Sequence, residues 1–307
     1  MKKSIMVAGA LALACGGTTA ETIWNALPAP EAAGRRLAWF DEFDRDGRPD
    51  PAKWDYEVGF IRNQEDQWYQ PENAWCTNGY LVLEARVERK PNPDFDPKAP
   101  KSDWKHSRTN IEMTSACVIT KGKRSFTYGR MDIRAKIVAE GDLWPALWLL
   151  GDTIDEISWP ACGEIDILEY YNDSILANFI YGNDFWGFGE KAVYRPGTRV
   201  PCKNNSSVRH MDRFLARDPQ WAEKWHVWSI ERNEITTAIY LDGELLNVHV
   251  NELTRNPKGL KPVYPYREPM YLLMNLAIKA HDHDSPKKAT YPSRFLIDYV
   301  RVYEWAD

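Results

Sequence analysis

Gly163-Glu164-Ile165-Asp166-Ile167-Leu168-Glu169-Tyr170-Tyr171 sets three carboxylates among large apolar residues. A desolvated carboxylate favours its neutral form, so this mixture is costly to bury unless the acids share a purpose. Read as a strand, side chains alternate faces, and Glu164 and Asp166 lie opposite Ile165 and Ile167. Glu169 then falls out of phase. One extra residue at Ile167-Leu168, a β-bulge, brings it back, and bulges are common beside active sites. Three acids then line one face and three aliphatics pack beneath. As a helix, Glu164, Ile167 and Leu168 would share a face and the acids would scatter. The strand is therefore the reading that gives the acids a joint role.

The surrounding chain has the same character. Short apolar runs at 80–85, 115–119, 128–137, 144–150, 164–170, 238–241, 271–278 and 296–303 alternate with turn clusters such as Asp46-Gly47-Arg48-Pro49-Asp50-Pro51. Asp242-Gly243 is a hairpin signal. Only residues 218–224 suggest a short helix, and there is no internal repeat. Many strands with such turns predict an all-β sandwich or barrel. Residues 89–108 and 186–217, polar and rich in Pro, Gly, Asn and basic residues, read as long loops. In a sandwich with an open groove such loops would wall the cleft.

Paired carboxyls suit glycoside hydrolysis, in which a separation of roughly 5–5.5 Å gives retention of configuration and a wider gap inversion. The Cα atoms of Glu164 and Glu169 would stand about 13 Å apart at roughly 3.3 Å per residue, and long side chains leaning inward would close much of that. Asp166 between them can keep one glutamate ionised and the other protonated. An acidic edge strand or a metal site are the competing readings; flanking Trp159-Pro160 and Tyr170-Tyr171 favour catalysis. The 307 residues include 14 Trp and 15 Tyr. Most fill a core, but flat aromatic faces also stack on sugar rings. A net charge of −5 gives no reason to expect nucleic acid.

The run Trp144-Pro145-Ala146-Leu147-Trp148-Leu149-Leu150, followed by Trp159-Pro160-Ala161-Cys162-Gly163-Glu164-Ile165-Asp166-Ile167-Leu168-Glu169, resembles glycoside hydrolase family 16 in its bulged E-x-D-x-x-E form, shared by laminarinases, agarases and carrageenases. The resemblance implies a β-jelly-roll sandwich of two antiparallel sheets with a concave substrate cleft. It implies Glu164 as nucleophile, Glu169 as acid/base and Asp166 as their helper. By the same resemblance Asn63 and Arg62 contact sugar. Alternation keeps Trp144, Trp148 and Trp159 from all facing the cleft, and Trp144 and Trp159 read as sugar platforms with Trp148 nearer the core. Arg130 and Arg134 share a face, which suggests a cleft role for Arg134. The resemblance also implies a structural Ca²⁺ on Glu42, the Gly79 carbonyl and Asp298, and no cofactor for catalysis. The loop His281-Asp282-His283-Asp284 reads as an exposed turn rather than a metal site.

Two stretches depart from the laminarinase pattern. Ile180 stands where a His is usual, and Asn275-Leu276-Ala277 continues as Ile278-Lys279-Ala280-His281 instead of a Gly-Gly-x-Trp-Pro-Gly stretch. The implied activity is a retaining endo-β-glycosidase on a β-linked polysaccharide, with β-1,3-(1,4-)glucan first and a β-galactan or host O-glycan second. Transglycosylation uses the same residues. A non-catalytic carbohydrate-binding jelly roll is the reading from another class, and the intact triad disfavours it.

Residues 1–20 read as a secretory signal: Lys2-Lys3, an apolar run to Ala14, then small residues to Ala20. Cys15, in an imperfect lipoprotein box, supplies a second reading as a lipid-anchored protein. Residues 21–36 read as an arm, and 37–307 as a single catalytic domain, expected to be a monomer with no transmembrane segment. Cys76, Cys117, Cys162 and Cys202 would remain after cleavage, either as disulfides or as buried thiols.

Overall fold

The computed structural model describes residues 34–182, 202–256, 263–280 and 289–305. The signal segment, Cys15, most of the arm and the 281–284 turn lie outside them. The described residues form two sheets. The larger contains β1 (Arg35–Asp41), β3 (Gln67–Tyr69), β4 (Ala74–Thr77), β5 (Tyr80–Pro91), β6 (Asn110–Ser115), β8 (Gly129–Lys136), β13 (His226–Arg232), β14 (Thr236–Leu241), β15 (Glu244–Val250) and β17 (Ser293–Trp305). The smaller runs in the order β12 (Cys202–His210), β11 (Ser174–Gly182), β10 (Glu164–Tyr170), β9 (Leu143–Gly151), β16 (Met270–Ile278), β7 (Cys117–Ile119), β2 (Asp55–Tyr56). Every pairing is antiparallel except β3 with β6. The architecture is the expected jelly-roll sandwich.

Alternation decides what fills it. Leu81, Leu83, Met131 and Ile133 of the larger sheet face Leu147, Leu149, Ile165 and Leu168 of the smaller, all buried in one core. Each such side chain contributes about 1.5–3 kcal/mol on burial. The other face of the smaller sheet carries a second apolar cluster that includes Tyr69, Ala146, Trp148, Leu150 and Leu273. That face floors the cleft. At the β14–β15 hairpin, Asp242 and Gly243 have φ of 49° and 82°, the left-handed pair that a tight two-residue hairpin turn requires.

The sequence reading of the two long loops needs correction. Residues 186–201 of the second loop lie outside the described residues; within 202–217 the chain forms β12 and a short helix, Met211–Leu215. Among the described residues Cys202–His210 is an edge strand paired only with β11, and its polar residues carry no apolar alternation to betray it. The stretch read as a helix at 218–224 holds one 3₁₀ turn, Trp221–Glu223. Residues 89–108 begin as the end of β5, and the remainder packs behind the cleft wall rather than lining it. Trp104 and Arg108 lie 5.8 and 4.7 Å from the Phe60 ring, and Asn92 ties the loop through the carbonyls of Lys105 and Arg108. The four described cysteines are thiols, three of them buried.

Candidate active site

β10 carries the bulge that its sequence calls for. Its pairing with β9 jumps from Asp166↔Trp148 to Leu168↔Leu147, so Ile167 is the extra residue. Glu164, Asp166 and Glu169 consequently emerge on the cleft face, while Ile165, Ile167 and Leu168 are wholly buried beneath. The cleft above them has a volume of about 390 Å³.

Both glutamates are held by neutral donors. Trp159 Nε1 donates to Glu164 at 2.8 Å, and Trp144 Nε1 to Glu169 at 2.9 Å. Asn178 Nδ2 donates to the other Glu169 oxygen at 2.5 Å. Asp166 is hydrogen-bonded to both glutamates. Burial lifts all three carboxyls. Glu164 rises to about 7, through desolvation first and then the charge of Glu169. Asp166 is driven well above the usual carboxylate range by desolvation and then by its two neighbours. Glu169 is raised by desolvation, against hydrogen bonds from Asp166, Trp144 and Asn178 that lower it. Three crowded acids therefore retain protons that isolated carboxylates would have lost. Arg62 acts on Glu164 and favours its ionised form.

The residues singled out from sequence are distributed as follows. Arg62, Asn63, Trp144 and Trp159 line the cleft with the three acids. Arg62 is ion-paired with Glu57 and stacks over Trp148, 4.9 Å from its ring centre. Asn63 donates to Glu65 at 3.1 Å. Trp148 is nearer the core, as expected, buried at 7% exposure in the apolar cluster under the cleft, and it borders the cleft as well. It lies four residues from Trp144 on one strand, so both share the cleft face, and its Nε1 donates to Asn275 at 2.7 Å.

Arg134 is absent from the cleft. It sits on β8 in the opposite sheet, whose inward positions are Met131, Ile133 and Ala135, and its outward side chain pairs with Asp298 and stacks on Trp225 at 5.1 Å. Alternation placed Arg130 and Arg134 together correctly, but it cannot say which sheet a strand joins.

The residues named for calcium do not suit a cation as arranged. Arg301 clamps both Glu42 oxygens at 2.8 Å, and Arg134 takes Asp298. A metal would have to displace two guanidinium groups.

Sequence reasoning missed Asn178, Glu65 and Asn275. Asn178 is directly opposite Asp166 on β11, and a buried amide facing an acid pair is visible only once the register is known. Of the departures from the laminarinase pattern, Ile180 stands opposite Glu164 in the ladder. Lys279 lies 4.9 Å from the Tyr171 ring and donates to Asn172 at 2.9 Å.

Comparison with known proteins is consistent with this geometry. Residues 88–301 match the model of Glycosyl hydrolases family 16. A Beta-glucanase of Rhodothermus marinus is 32% identical over 280 residues, spanning 88% of this chain and 86% of that protein. The laminarinase catalytic domain from Thermotoga maritima MSB8 superposes with a TM-score of 0.65 at 30% identity, over 88% of this chain and 98% of that one. A structure from work on endo-acting O-glycanases, expressed by prominent members of the human gut microbiota to initiate mucin breakdown, superposes with a TM-score of 0.72 at 28% identity, over 91% of this chain and 94% of that one.

Proposed function

The chain belongs to glycosyl hydrolase family 16, and from that premise we propose that it is a retaining endo-β-glycosidase acting on a β-1,3-glucan of the laminarin type. The observation that carries the chemistry is the bulge at Ile167, which brings two glutamates to one face with Asp166 hydrogen-bonded between them. Family membership casts Glu164 as the nucleophile and Glu169 as the acid/base, and the Arg62 charge favours the ionised form of Glu164 against the burial that raises it. Glu164 attacks the anomeric carbon as Glu169 protonates the departing glycosidic oxygen. The C–O bond breaks and a glycosyl-enzyme ester forms. Glu169, now ionised, takes a proton from water, which attacks the same carbon and frees Glu164. Asp166, held protonated by burial, donates to the glutamate that bears the charge at each stage. Trp144, Trp148 and Trp159 offer flat apolar faces for sugar rings, and Arg62 and Asn63 supply hydrogen bonds at the cleft wall.

A second substrate reading has its own support. The overlap with the O-glycanase structure, together with Ile180 and Lys279 in place of the laminarinase residues, favours a galactose-containing chain such as an O-glycan. Export through the segment at 1–20 accords with either polymer. The deciding experiment is a product profile: incubate the protein with laminarin, mixed-linkage glucan, agarose, carrageenan and mucin O-glycans, and weigh the oligosaccharides released. Products from laminarin support the first reading. Products only from mucin or a galactan overturn it in favour of the second. Turnover that survives Glu164→Gln would refute the mechanism itself.

A further inference from the structure

Glu164 is the first residue of β10, where the ladder ends. Before it stands Gly163, with a left-handed φ of 81°. Both glutamates are paired on each side, Glu164 with Leu150 and Ile180 and Glu169 with Ala146 and Leu176, but only Glu164 adjoins a glycine, and a strand end joined to glycine has freedom to pivot there.

Two groups from outside the sheet remove the freedom of Glu164. The Tyr266 hydroxyl, from a wholly buried side chain, donates to the main-chain carbonyl of Glu164 at 3.1 Å. Pro265 closes on Gly163 so tightly that a Cβ there would lie 2.6 Å from the Pro265 Cβ. Tyr266 is fixed in turn. Its ring packs against Phe179, Tyr181 and His249 with centroids 5.7–5.8 Å away. Its carbonyl accepts from Arg232 Nη2 at 3.0 Å, and the same guanidinium reaches the carbonyls of Phe126 and Glu268 at 2.7 and 2.9 Å. Arg232 is 3% exposed and has no carboxylate partner among the described residues. Burial lowers its pKa to about 10. A guanidinium buried without an anion is a poor stabiliser. What it does here is lock three carbonyls of converging segments into one geometry.

We propose that Tyr266 is a positioning residue for Glu164, and that Arg232 holds Tyr266 in place for this task. The inference rests on the reading of Glu164 as nucleophile. The tyrosine hydroxyl fixes the height of Glu164 above the core, and so the approach of its carboxylate to Asp166 and to the anomeric carbon. A displacement well under the length of a bond to substrate is enough to slow attack without weakening sugar binding.

The test compares the full chain with Tyr266→Phe and Arg232→Lys, on laminarin or on whichever polymer of the panel yields products. The expected result is a kcat lower by about tenfold, with KM within about twofold and the acid limb of the kcat/KM pH profile displaced. If Tm falls while kcat and the acid limb stay in place, Tyr266 is only a core residue and the proposal is overturned. Should Tyr266→Phe fail to fold, Arg232→Lys decides by the same split between kcat and KM. Azide and Glu164→Gly separate this from the reading beneath it. A glycosyl azide of inverted configuration establishes the nucleophile whatever Tyr266 does. Its absence removes the nucleophile assignment first, and the positioning role with it.

Discussion

On the outer face of the ten-stranded sheet, Glu84 takes both Arg86 and Arg294, Glu231 takes Arg35 and Arg130, and Asp298 takes Arg134. On the cleft face of the seven-stranded sheet, Glu164, Asp166 and Glu169 have one another, two indole N–H groups and an amide. Both sets are acidic residues on one face of a sheet, the outer ones on three separate strands, β5, β13 and β17, and the cleft ones together on β10. The difference is in the company. A carboxylate beside a guanidinium is held as an anion and is chemically quiet. A carboxylate among its own kind, out of water and given only neutral donors, is forced to share protons, and a group that exchanges protons near neutrality can do acid–base work. Arg62, tied to Glu57 yet near enough to bias Glu164, breaks the symmetry of the cleft set.

The comparison breaks first at Glu164. Glu164→Gln is expected to lower kcat by about 10⁴-fold or more while oligosaccharide binding persists, measured by turnover and by calorimetry on the same preparation. The same variant tests how the cleft acids affect stability. The folded chain keeps the Glu164 proton to about 7, whereas the unfolded chain releases it near 4.5. Between those values the folded state binds more protons, so the contribution of this group to stability falls as pH rises. Glu164→Gln should therefore melt above the parent at pH 8, with the gap closing below pH 4.5; a gap independent of pH would contradict the assigned burial effect.

Asp166→Asn comes next. It keeps a donor but removes the shared proton, and kcat should drop by about 10²-fold with a changed pH profile. An unchanged profile would mean that Asp166 only fills space.

The smallest effects lie on the outer face. Arg134→Met should leave kcat and KM as they are and cost less than about 1 kcal/mol, because its ion pair is partly exposed. A large kcat loss would restore Arg134 to the cleft and undo the contrast. A chelator should move Tm by no more than about a degree if Arg301 and Arg134 satisfy Glu42 and Asp298 as drawn. A marked fall would mean that calcium, not arginine, is their partner in solution.

Much of this was legible in the chain itself. The bounds of β10, the bulge at Ile167 and the split between acids and aliphatics follow from a period of two and one interruption of it. The β14–β15 turn follows from Asp242-Gly243. Those are local properties, set by backbone geometry and by which neighbours a side chain can reach along its own strand. The sheet to which Arg134 belongs, the cleft position of Trp148, the edge strand at Cys202–His210, the amide of Asn178 opposite Asp166 and the grip of Tyr266 on Glu164 are not local. Tyr266 and Glu164 are 102 positions apart, and nothing in the residues between them encodes their contact. Sequence alone determined which groups could carry the chemistry. Tertiary structure decided which carboxylates met a guanidinium and which were left to share protons, because burial and partnership exist only after distant strands have paired.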